Sequence, residues 1–336
     1  MNYINGPTAI SDQIAISNFL FNTGKENIIS EIKEGLVAEQ KYISSKFFYD
    51  DLGSKLFEDI TRLPEYYPTR TEKSILHEVA PEISKSLRNI NIVELGNGDC
   101  SKITIILDAI PAENMRSVHY IPVDVSHAAI MKSAHILTKK FPDITIHGVL
   151  ADFMKHIDFI PGNFNRLICF FGSTLGNLTR VESMKFLLDL KTLMNPGDQL
   201  LLGLDMVKDI KTLENAYNDE KGVTSAFNKN ILNVVNYYLK TSFNPDWFEH
   251  LAFYNKTKAR IEMHLKALKA MEISCPYLPD KILIKKGETI HTENSHKYTK
   301  QHISDFANIR GLKIHDIYSD NKRWFSIAHF VVNMAR

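Results

Sequence analysis

The sequence has few of the features that would place it in several large classes of protein. Its 336 residues include 3 cysteines, far apart and with no C-x-x-C pair, which excludes a thiolate zinc site and argues against a disulfide scaffold. No apolar run approaches the roughly 20 residues of a membrane helix. The first 13 residues lack the basic start and apolar core of a signal peptide. These absences predict a cytoplasmic protein.

Charge of one sign is not in excess either. The chain carries 40 basic and 39 acidic side chains, and its formal net charge is +1. A nucleic-acid interface needs a basic face, and no cluster of Lys and Arg is long enough to form one. We therefore expect neither a nucleic acid nor a membrane as a partner, and the oligomeric state stays open, a monomer included. With 44% hydrophobic residues, the chain can bury one large core or two modest ones.

Short apolar runs alternate with helical patterns through the middle of the chain. The periodicity predicts helices at 103–110, 128–140 and 182–194, and it predicts strands at 91–95, 118–123, 144–150, 166–171 and 199–204. Alternation of this kind is typical of a doubly wound parallel α/β sheet. Two later runs, at 313–318 and 324–332, predict an antiparallel hairpin on the edge of that sheet.

The flanking regions have a different pattern. Residues 28–87 are helical in pattern with a break at 63–68, and a further helix is predicted at 223–240. In 260–266 every second residue is apolar, which is typical of a strand with one wet face. We therefore predict an α/β protein in which a second α+β domain is inserted into a Rossmann-like sheet domain. The sheet domain would comprise 72–207 plus 297–336, and the second domain 1–71 plus 208–296.

A glycine pair, Gly96 and Gly98, directly follows the first strand of the predicted sheet. Glycines allow a tight turn and a close approach of the backbone to a ligand. A dinucleotide fingerprint needs a third glycine, but that position is Ser101. The missing glycine and the acidic Glu94 favour S-adenosylmethionine (SAM) over NAD, because SAM has no pyrophosphate to bind at a helix N-terminus. Lys102, at the start of the next helix, is a further candidate for cofactor binding.

Two aspartates follow the next two strands of the predicted sheet. Asp124 could accept hydrogen bonds from both ribose hydroxyls of the cofactor, and Asp152 could accept one from the adenine amino group. Both lie at carboxyl ends of strands, where open α/β sheets bind their ligands. The alternative for each is a helix N-cap, a position at which Asp is favoured in any case.

Several stretches of the sequence resemble the histidine Nα-methyltransferases of ergothioneine biosynthesis, the enzymes that make hercynine. The resemblance extends over roughly residues 40–330. The stretches that carry it are 46–54, 60–70, 171–179, 205–209, 216–219, 227–230 and 260–263. The same family includes a fungal N-methyltransferase that acts on a prenylated tryptophan. Family members usually have Ser between the two glycines where this chain has Asn97, a change that we expect to be tolerated.

The resemblance implies a class I methyltransferase sheet that binds SAM, a second domain that binds the substrate, and a site between them. It implies that Asn177 and Tyr217 hold the α-carboxylate as neutral donors, without a buried cation, and that Glu293 and Ser295 recognise an imidazole ring. It also implies roles in the substrate pocket for four further residues: Met263 beside the ring, Gly172 near the amine, and Tyr49 and Tyr67 in the lining. No residue is assigned as a catalytic base.

Metal binding is not expected, because neither H-x-x-x-H nor H-E-x-x-H occurs. His291 and His296 lie five apart in a polar segment and are expected to be solvated. The main hypothesis is trimethylation of the histidine α-amine by SAM. Methylation of another amino acid, such as a tryptophan derivative, remains an alternative, as does a non-catalytic SAM-binding regulator. The missing third glycine argues against an NAD-dependent dehydrogenase.

Overall fold

The computed structural model describes residues 7–20, 24–155 and 165–332. The helices are α1 (Lys25–Val37), α2 (Asp51–Ile60), α3 (Tyr67–Ser84), α4 (Ser101–Asp108), α5 (His127–Lys140), α6 (Arg180–Leu193), α7 (Ile210–Asn215), α8 (Val223–Leu239) and α9 (Lys300–Phe306). The strands are β1 (Thr8–Ala9), β2 (Ile14–Asn18), β3 (Ile90–Leu95), β4 (Val118–Asp124), β5 (Thr145–Leu150), β6 (Asn165–Phe170), β7 (Gln199–Asp205), β8 (Phe248–Asn255), β9 (Arg260–Ala267), β10 (Met271–Ile273), β11 (Ile282–Ile284), β12 (Thr289–His296), β13 (Leu312–Ser319) and β14 (Phe325–Val332).

The large sheet has the strand order β1-β2-β5-β4-β3-β6-β7-β14-β13. Strands β2 to β7 run parallel to one another. At one edge β1 is antiparallel to β2, and at the other β14 is antiparallel to β7, with an antiparallel β13 outside it. The central strands are buried on both faces because helices cover them: α3 and α4 pack on one side, and α6 and α9 on the other. The predicted parallel sheet and its antiparallel edge hairpin are confirmed.

The chain divides into two compact units. The first contains described residues of 7–20, Pro68–Val207 and 298–332, and the second contains those of 24–67 and Lys208–Lys297. The N-terminal segment therefore differs from the prediction, which placed all of 1–71 in the second domain. Residues 14–18 form β2, which pairs in parallel with β5 at the edge of the large sheet. Most of α3 likewise belongs to the first unit, because its apolar side packs on that sheet.

The second unit is built around a three-stranded antiparallel sheet of order β12-β9-β8. Helix α8 packs against β8 and β9, and it also contacts α1 and α2. The strand predicted at 260–266 exists, but the wet face assigned to it is wrong, because Arg260, Glu262 and His264 are all buried. Arg260 and His264 both hydrogen-bond to the Glu262 carboxylate between them. Among the described residues, no helix is both long and apolar enough to cross a membrane.

Candidate functional site

The turn between β3 and α4 has the backbone shape that the glycine pair predicts. Gly96 and Gly98 have φ of +73° and +48°, and a Cβ at either position would meet no atom within 4 Å. The Asn97 side chain between them is buried and donates to Ser133 Oγ on α5 at 2.7 Å. One side of the turn is thus anchored to a helix, while both glycines face open space that a ligand can enter.

The two aspartates lie at the carboxyl ends of β4 and β5, as predicted. Asp124 Oδ1 accepts the Ser126 N–H at 2.9 Å, and Asp152 Oδ1 accepts the Met154 N–H at 3.1 Å. Burial raises the pKa of Asp124, and hydrogen bonds from backbone N–H groups, those of Ser126 and Gly98 among them, oppose that rise. Asp124 is not the side-chain cap of the following helix, because the cap of α5 is Ser126.

Glu94, the acid ahead of the glycines, lies in a buried hydrogen bond that the sequence does not reveal. The Tyr120 hydroxyl donates to Glu94 Oε2 at 2.5 Å, and only 2% of Glu94 is exposed. Burial raises the pKa of Glu94 to about 8, although the Tyr120 hydrogen bond and the Lys102 charge act in the opposite direction. Glu94 is therefore mainly protonated at pH 7 and adds no full negative charge beneath the glycine turn.

Lys102 forms an ion pair with Glu72, a residue that the sequence analysis missed. The Lys102 Nζ atom lies 2.8 Å from Glu72 Oε2, and Glu72 is fully buried on α3. Both carboxylate oxygens of Glu72 accept the Gly172 N–H at 2.9 Å. Nothing in the helical pattern of α3 distinguishes this carboxylate, so only the fold reveals that it links α3 and α4 to the turn after β6.

That turn carries Gly172 and Asn177. Gly172 and Ser173 both have left-handed backbones, with φ of +75° and +56°, and Ser173 Oγ accepts the Asp205 N–H at 2.9 Å. A short 3-10 helix, Thr174–Asn177, follows and ends at the half-buried Asn177. The N–H of Gly172 donates to Glu72. The carbonyl of Gly172 is the group of this residue that can accept a hydrogen bond from an amine.

We expect Gly172→Ala to lower both stability and turnover. An alanine would have to keep a positive φ, and its Cβ would lie 3.0 Å from Lys102 Nζ. Backbone strain of this type costs about 1–2 kcal/mol. Displacement of Lys102 would also disturb its ion pair with Glu72. Thermal unfolding and initial rates measure the two effects. Gly197→Ala is the control, since Gly197 has φ of +94° but ordinary 3.5 Å contacts; an equal loss of turnover in both variants would contradict a specific role for Gly172.

Tyr217, Ser295 and Lys297 form a buried cluster in the second unit. The Tyr217 hydroxyl donates to Ser295 Oγ at 2.7 Å, and Lys297 Nζ donates to Ser295 Oγ at 2.8 Å and to the Tyr217 hydroxyl at 3.2 Å. Lys297 is fully buried. The expectation that Tyr217 acts without a buried cation is therefore wrong. Lys297 lies within the T-E-N-S-H-K-Y motif, but that motif alone does not show that its side chain turns inward.

Glu293 lies on β12 directly opposite Met263 on β9. Met263 is almost fully buried, whereas Glu293 is half-buried. Desolvation by the surrounding protein raises the pKa of Glu293 to about 7, and the positive charge of Lys297 opposes that rise. A carboxyl with this pKa changes its charge close to neutral pH.

Tyr49 and Tyr67 both belong to the second unit, Tyr49 among aromatic rings and Tyr67 beside Lys208. The half-buried Tyr49 ring packs edge-on against Phe57 and Phe227, with ring centroids 5.7 and 6.0 Å away. The buried Tyr67 accepts a hydrogen bond from Lys208 Nζ at 2.7 Å through its hydroxyl. The helical pattern of α8 does not distinguish Phe227, although its ring packs against those of Phe48, Tyr49 and Phe57.

The strand order β5-β4-β3-β6-β7, completed by the reversed β14 and the outer β13, is that of a class I SAM-dependent methyltransferase. A glycine turn after the first strand of this core agrees with that class. The chain belongs to the family described as histidine-specific, SAM-dependent methyltransferases, whose profile matches residues 28–332.

Three relatives show how far the similarity extends. A histidine N-alpha-methyltransferase of Mycolicibacterium smegmatis is 40% identical over 292 residues, covering 86% of this chain and 90% of that one. Its namesake from Mycobacterium tuberculosis is 36% identical over 315 residues, covering 94% and 96%. A 4-dimethylallyltryptophan N-methyltransferase of Epichloe festucae var. lolii is 26% identical over 322 residues, covering 89% and 93%.

Proposed function

We propose that this protein transfers methyl groups from SAM to the α-amine of L-histidine, three times in succession, and so forms hercynine. Membership of the histidine-specific family and the higher identity to the two histidine enzymes support this proposal. The observation that carries it concerns two residues of β12. Glu293 can accept a hydrogen bond, and the oxygen of the Ser295 hydroxyl already accepts two hydrogen bonds.

Those two groups together complement a neutral imidazole. One ring nitrogen of imidazole donates a proton and the other accepts one. Ionised Glu293 would accept the N–H. Ser295 would donate to the second nitrogen, because Tyr217 and Lys297 already donate to its oxygen. A phenyl ring would leave both groups unpaired, at a cost of about 1–3 kcal/mol for each, and an indole offers one donor and no acceptor.

We propose that Asn177 and Tyr217 bind the α-carboxylate and that Met263, Tyr49 and Tyr67 line the pocket. Tyr217 has a single hydroxyl proton, and it donates that proton to Ser295. Binding of a carboxylate would redirect this proton to the substrate, while Lys297 continues to donate to both hydroxyl oxygens.

On the cofactor side, we propose that the first unit is the SAM-binding domain and the second the substrate-binding domain. The turn at Gly96 and Gly98 would admit the methionine part of SAM. Asp124 would accept hydrogen bonds from the ribose hydroxyls, and Asp152 would accept one from the adenine amino group. Lys102 would act through its ion pair with Glu72, which positions the backbone of Gly172.

Methyl transfer is an in-line displacement in which positive charge moves from sulfur to nitrogen. The protein must hold the amine lone pair about 3 Å from the methyl carbon, in line with the leaving sulfur. The amine loses one proton before each transfer, and we assign no residue as the base, since water can carry the proton away. The Gly172 carbonyl would orient the amine, and the pocket must accept the mono- and dimethyl intermediates.

We also propose a cytoplasmic location. Its support is that Cys100, Cys169 and Cys275 are all buried and unpaired, as expected for a protein from a reducing compartment.

Incubation with SAM and an equimolar mixture of free amino acids tests the substrate assignment. We expect only histidine to gain methyl groups when the products are measured by mass spectrometry. Methylation of tryptophan or a tryptophan derivative in preference to histidine would favour the alternative substrate. SAM binding without methylation of any amino acid would favour a non-catalytic regulator.

The pH dependence of catalysis gives a separate prediction, centred on Lys297. Protonated Glu293 cannot accept the imidazole N–H, so kcat/KM for histidine should rise as the pH increases through about 7, the pKa of Glu293. Lys297→Met removes the charge that lowers this pKa. We therefore expect the rise to move to higher pH, with kcat/KM reduced about tenfold at pH 7 and partly restored at pH 9.

Lys300→Met, on the exposed start of α9, is the control for this experiment. A thermal unfolding curve for each variant separates loss of folding from loss of recognition. An unchanged pH profile in Lys297→Met would contradict the role given to Lys297.

A further inference from the structure

A second group of ionisable side chains lies on the opposite face of the small sheet from Met263 and Glu293. It consists of Glu262 and His264 on β9 and His291 on β12, and one possible ligand atom from each lies within 4.8 Å of the others. Neighbouring residues of a strand point to opposite faces, so Glu262 and His264 face away from Met263. His291 is directly opposite His264, and a bulge at Thr292 then shifts the register so that Glu293 pairs with Met263.

The Glu262 carboxylate is held so that one oxygen faces the imidazoles. Its Oε1 atom accepts hydrogen bonds from Arg260 Nε at 2.8 Å and from Asn255 Nδ2 at 3.0 Å. Its Oε2 atom lies 3.3 Å from His264 Nε2. Two ligand atoms about 2.0 Å from a tetrahedral zinc ion are separated by about this distance, so Glu262 and His264 already have the spacing of two zinc ligands, and His291, within 4.8 Å, would move towards them.

Both imidazoles are fixed in orientation by their surroundings. The Phe253 ring stacks on His264 with centroids 5.5 Å apart, and the His264 and His291 rings lie 4.8 Å apart. One nitrogen of His291 bonds to the Glu293 carbonyl at 3.0 Å, an arrangement common for metal-binding histidines, whose second nitrogen donates to a carbonyl or carboxylate.

The other nitrogen of His264, Nδ1, has no hydrogen-bond partner in the described part of the chain, so no hydrogen bond fixes the tautomer in which Nε2 offers its lone pair. His264 is 7% exposed. Burial lowers the pKa of both rings, that of His291 to about 4. In its uncharged form each imidazole offers one nitrogen lone pair to a metal ion.

We propose that Glu262, His264 and His291 form a binding site for a divalent transition-metal ion, with Zn²⁺ as the best match. Two imidazoles and one carboxylate are an established zinc donor set, and they leave a fourth position for water. The ion would join β9 to β12 on the face of the sheet opposite the proposed substrate residues. No local sequence motif reveals this site, because its ligands come together through strand pairing. His291 is half-buried, not solvated as expected.

Nearby cations limit the affinity of this site. Arg260 NH2 lies 2.7 Å and Lys258 Nζ 3.9 Å from Glu262 Oε1, and their charges repel an incoming ion. We therefore expect a dissociation constant on the order of micromolar, which is weaker than the binding of structural zinc.

Metal titration of the full chain, first stripped with a chelator, tests the proposal. Zn²⁺ affinity is measured by competition with a chromophoric chelator, and Co²⁺ reports geometry through its visible absorption. We expect one equivalent of Zn²⁺ and a Co²⁺ spectrum of four-coordinate type. Loss of an outer-shell partner alone costs about 10–100-fold in metal affinity, so loss of a ligand should cost about 100-fold or more.

The variants are His291→Gln and His264→Asn, with His135→Gln on the exposed side of α5 as the control. His291 is the more exposed ligand, so its variant keeps the test valid if His264→Asn fails to fold, which metal-free thermal unfolding checks. Weakened binding in the ligand variants, with wild-type binding in the control, would support the site. Binding below one equivalent at 100 µM Zn²⁺, or unchanged binding in His291→Gln, would overturn it.

Discussion

Glu293→Gln is expected to lower kcat/KM for histidine about 100-fold, or about 2.7 kcal/mol, with most of the loss in KM. The amide keeps the size of the side chain but removes the negative charge that accepts the imidazole N–H. It should also remove the rise in kcat/KM near pH 7, because that rise is the ionisation of this carboxyl. SAM affinity should not change, since Glu293 belongs to the second unit and the proposed cofactor residues to the first.

Steady-state kinetics over a range of pH, with SAM binding measured by calorimetry, gives both quantities. Glu249→Gln is a matched control, because Glu249 lies on β8 of the same small sheet but its side chain is 56% exposed. A loss of kcat/KM for histidine of only about twofold in Glu293→Gln would be too small for loss of a charged hydrogen bond. That result would remove Glu293 from the recognition of the ring.

Asp124→Asn is expected to weaken SAM binding about 100- to 1,000-fold. Each hydrogen bond from a ribose hydroxyl to a carboxylate contributes about 1.5–3 kcal/mol, and two such bonds would be lost or weakened. The amide would also turn an N–H group towards the backbone N–H groups that now donate to Asp124, such as that of Ser126 at 2.9 Å. Calorimetric titration with SAM measures the affinity, and thermal unfolding checks that the variant folds.

Substitutions of two other aspartates serve as comparisons for the loss of SAM affinity in Asp124→Asn. Asp152→Asn should cost only about tenfold, because it would lose a single hydrogen bond from the adenine amino group. Asp143→Asn, whose side chain is 47% exposed and pairs with an 82% exposed Arg116, should bind SAM normally. If Asp124→Asn binds SAM no more weakly than Asp143→Asn, the cofactor does not use the carboxyl end of β4 as proposed.

The sequence predicted the large sheet well because its strands carry a direct signal. Strands β3 to β7 are apolar on both faces and separated by helical patterns, and their ends lie within one or two residues of the predictions. β2 was missed because five residues of mixed polarity, next to a two-residue partner strand, carry little periodicity. The assignment of the N-terminus to the second domain failed for the same reason.

The small sheet shows where sequence periodicity stops being informative. In β9 the polar residues Arg260, Glu262 and His264 alternate with apolar ones, which normally indicates a solvated face. They are buried because β8 and β12 supply partners for them, among them Asn255 and His291. The inward turn of Lys297 and the pairing of Lys102 with Glu72 likewise depend on residues distant in the chain.

The central claim is that the α-nitrogen of histidine receives three methyl groups from SAM, and fragment analysis of the product tests it most directly. The protein is incubated with SAM carrying a labelled methyl group and with L-histidine, and the product is sequenced by tandem mass spectrometry. The account predicts one product with three labelled methyl groups on the α-nitrogen and an unmodified imidazole ring. Label on a ring nitrogen, or histidine recovered without label from protein that binds SAM, would contradict it.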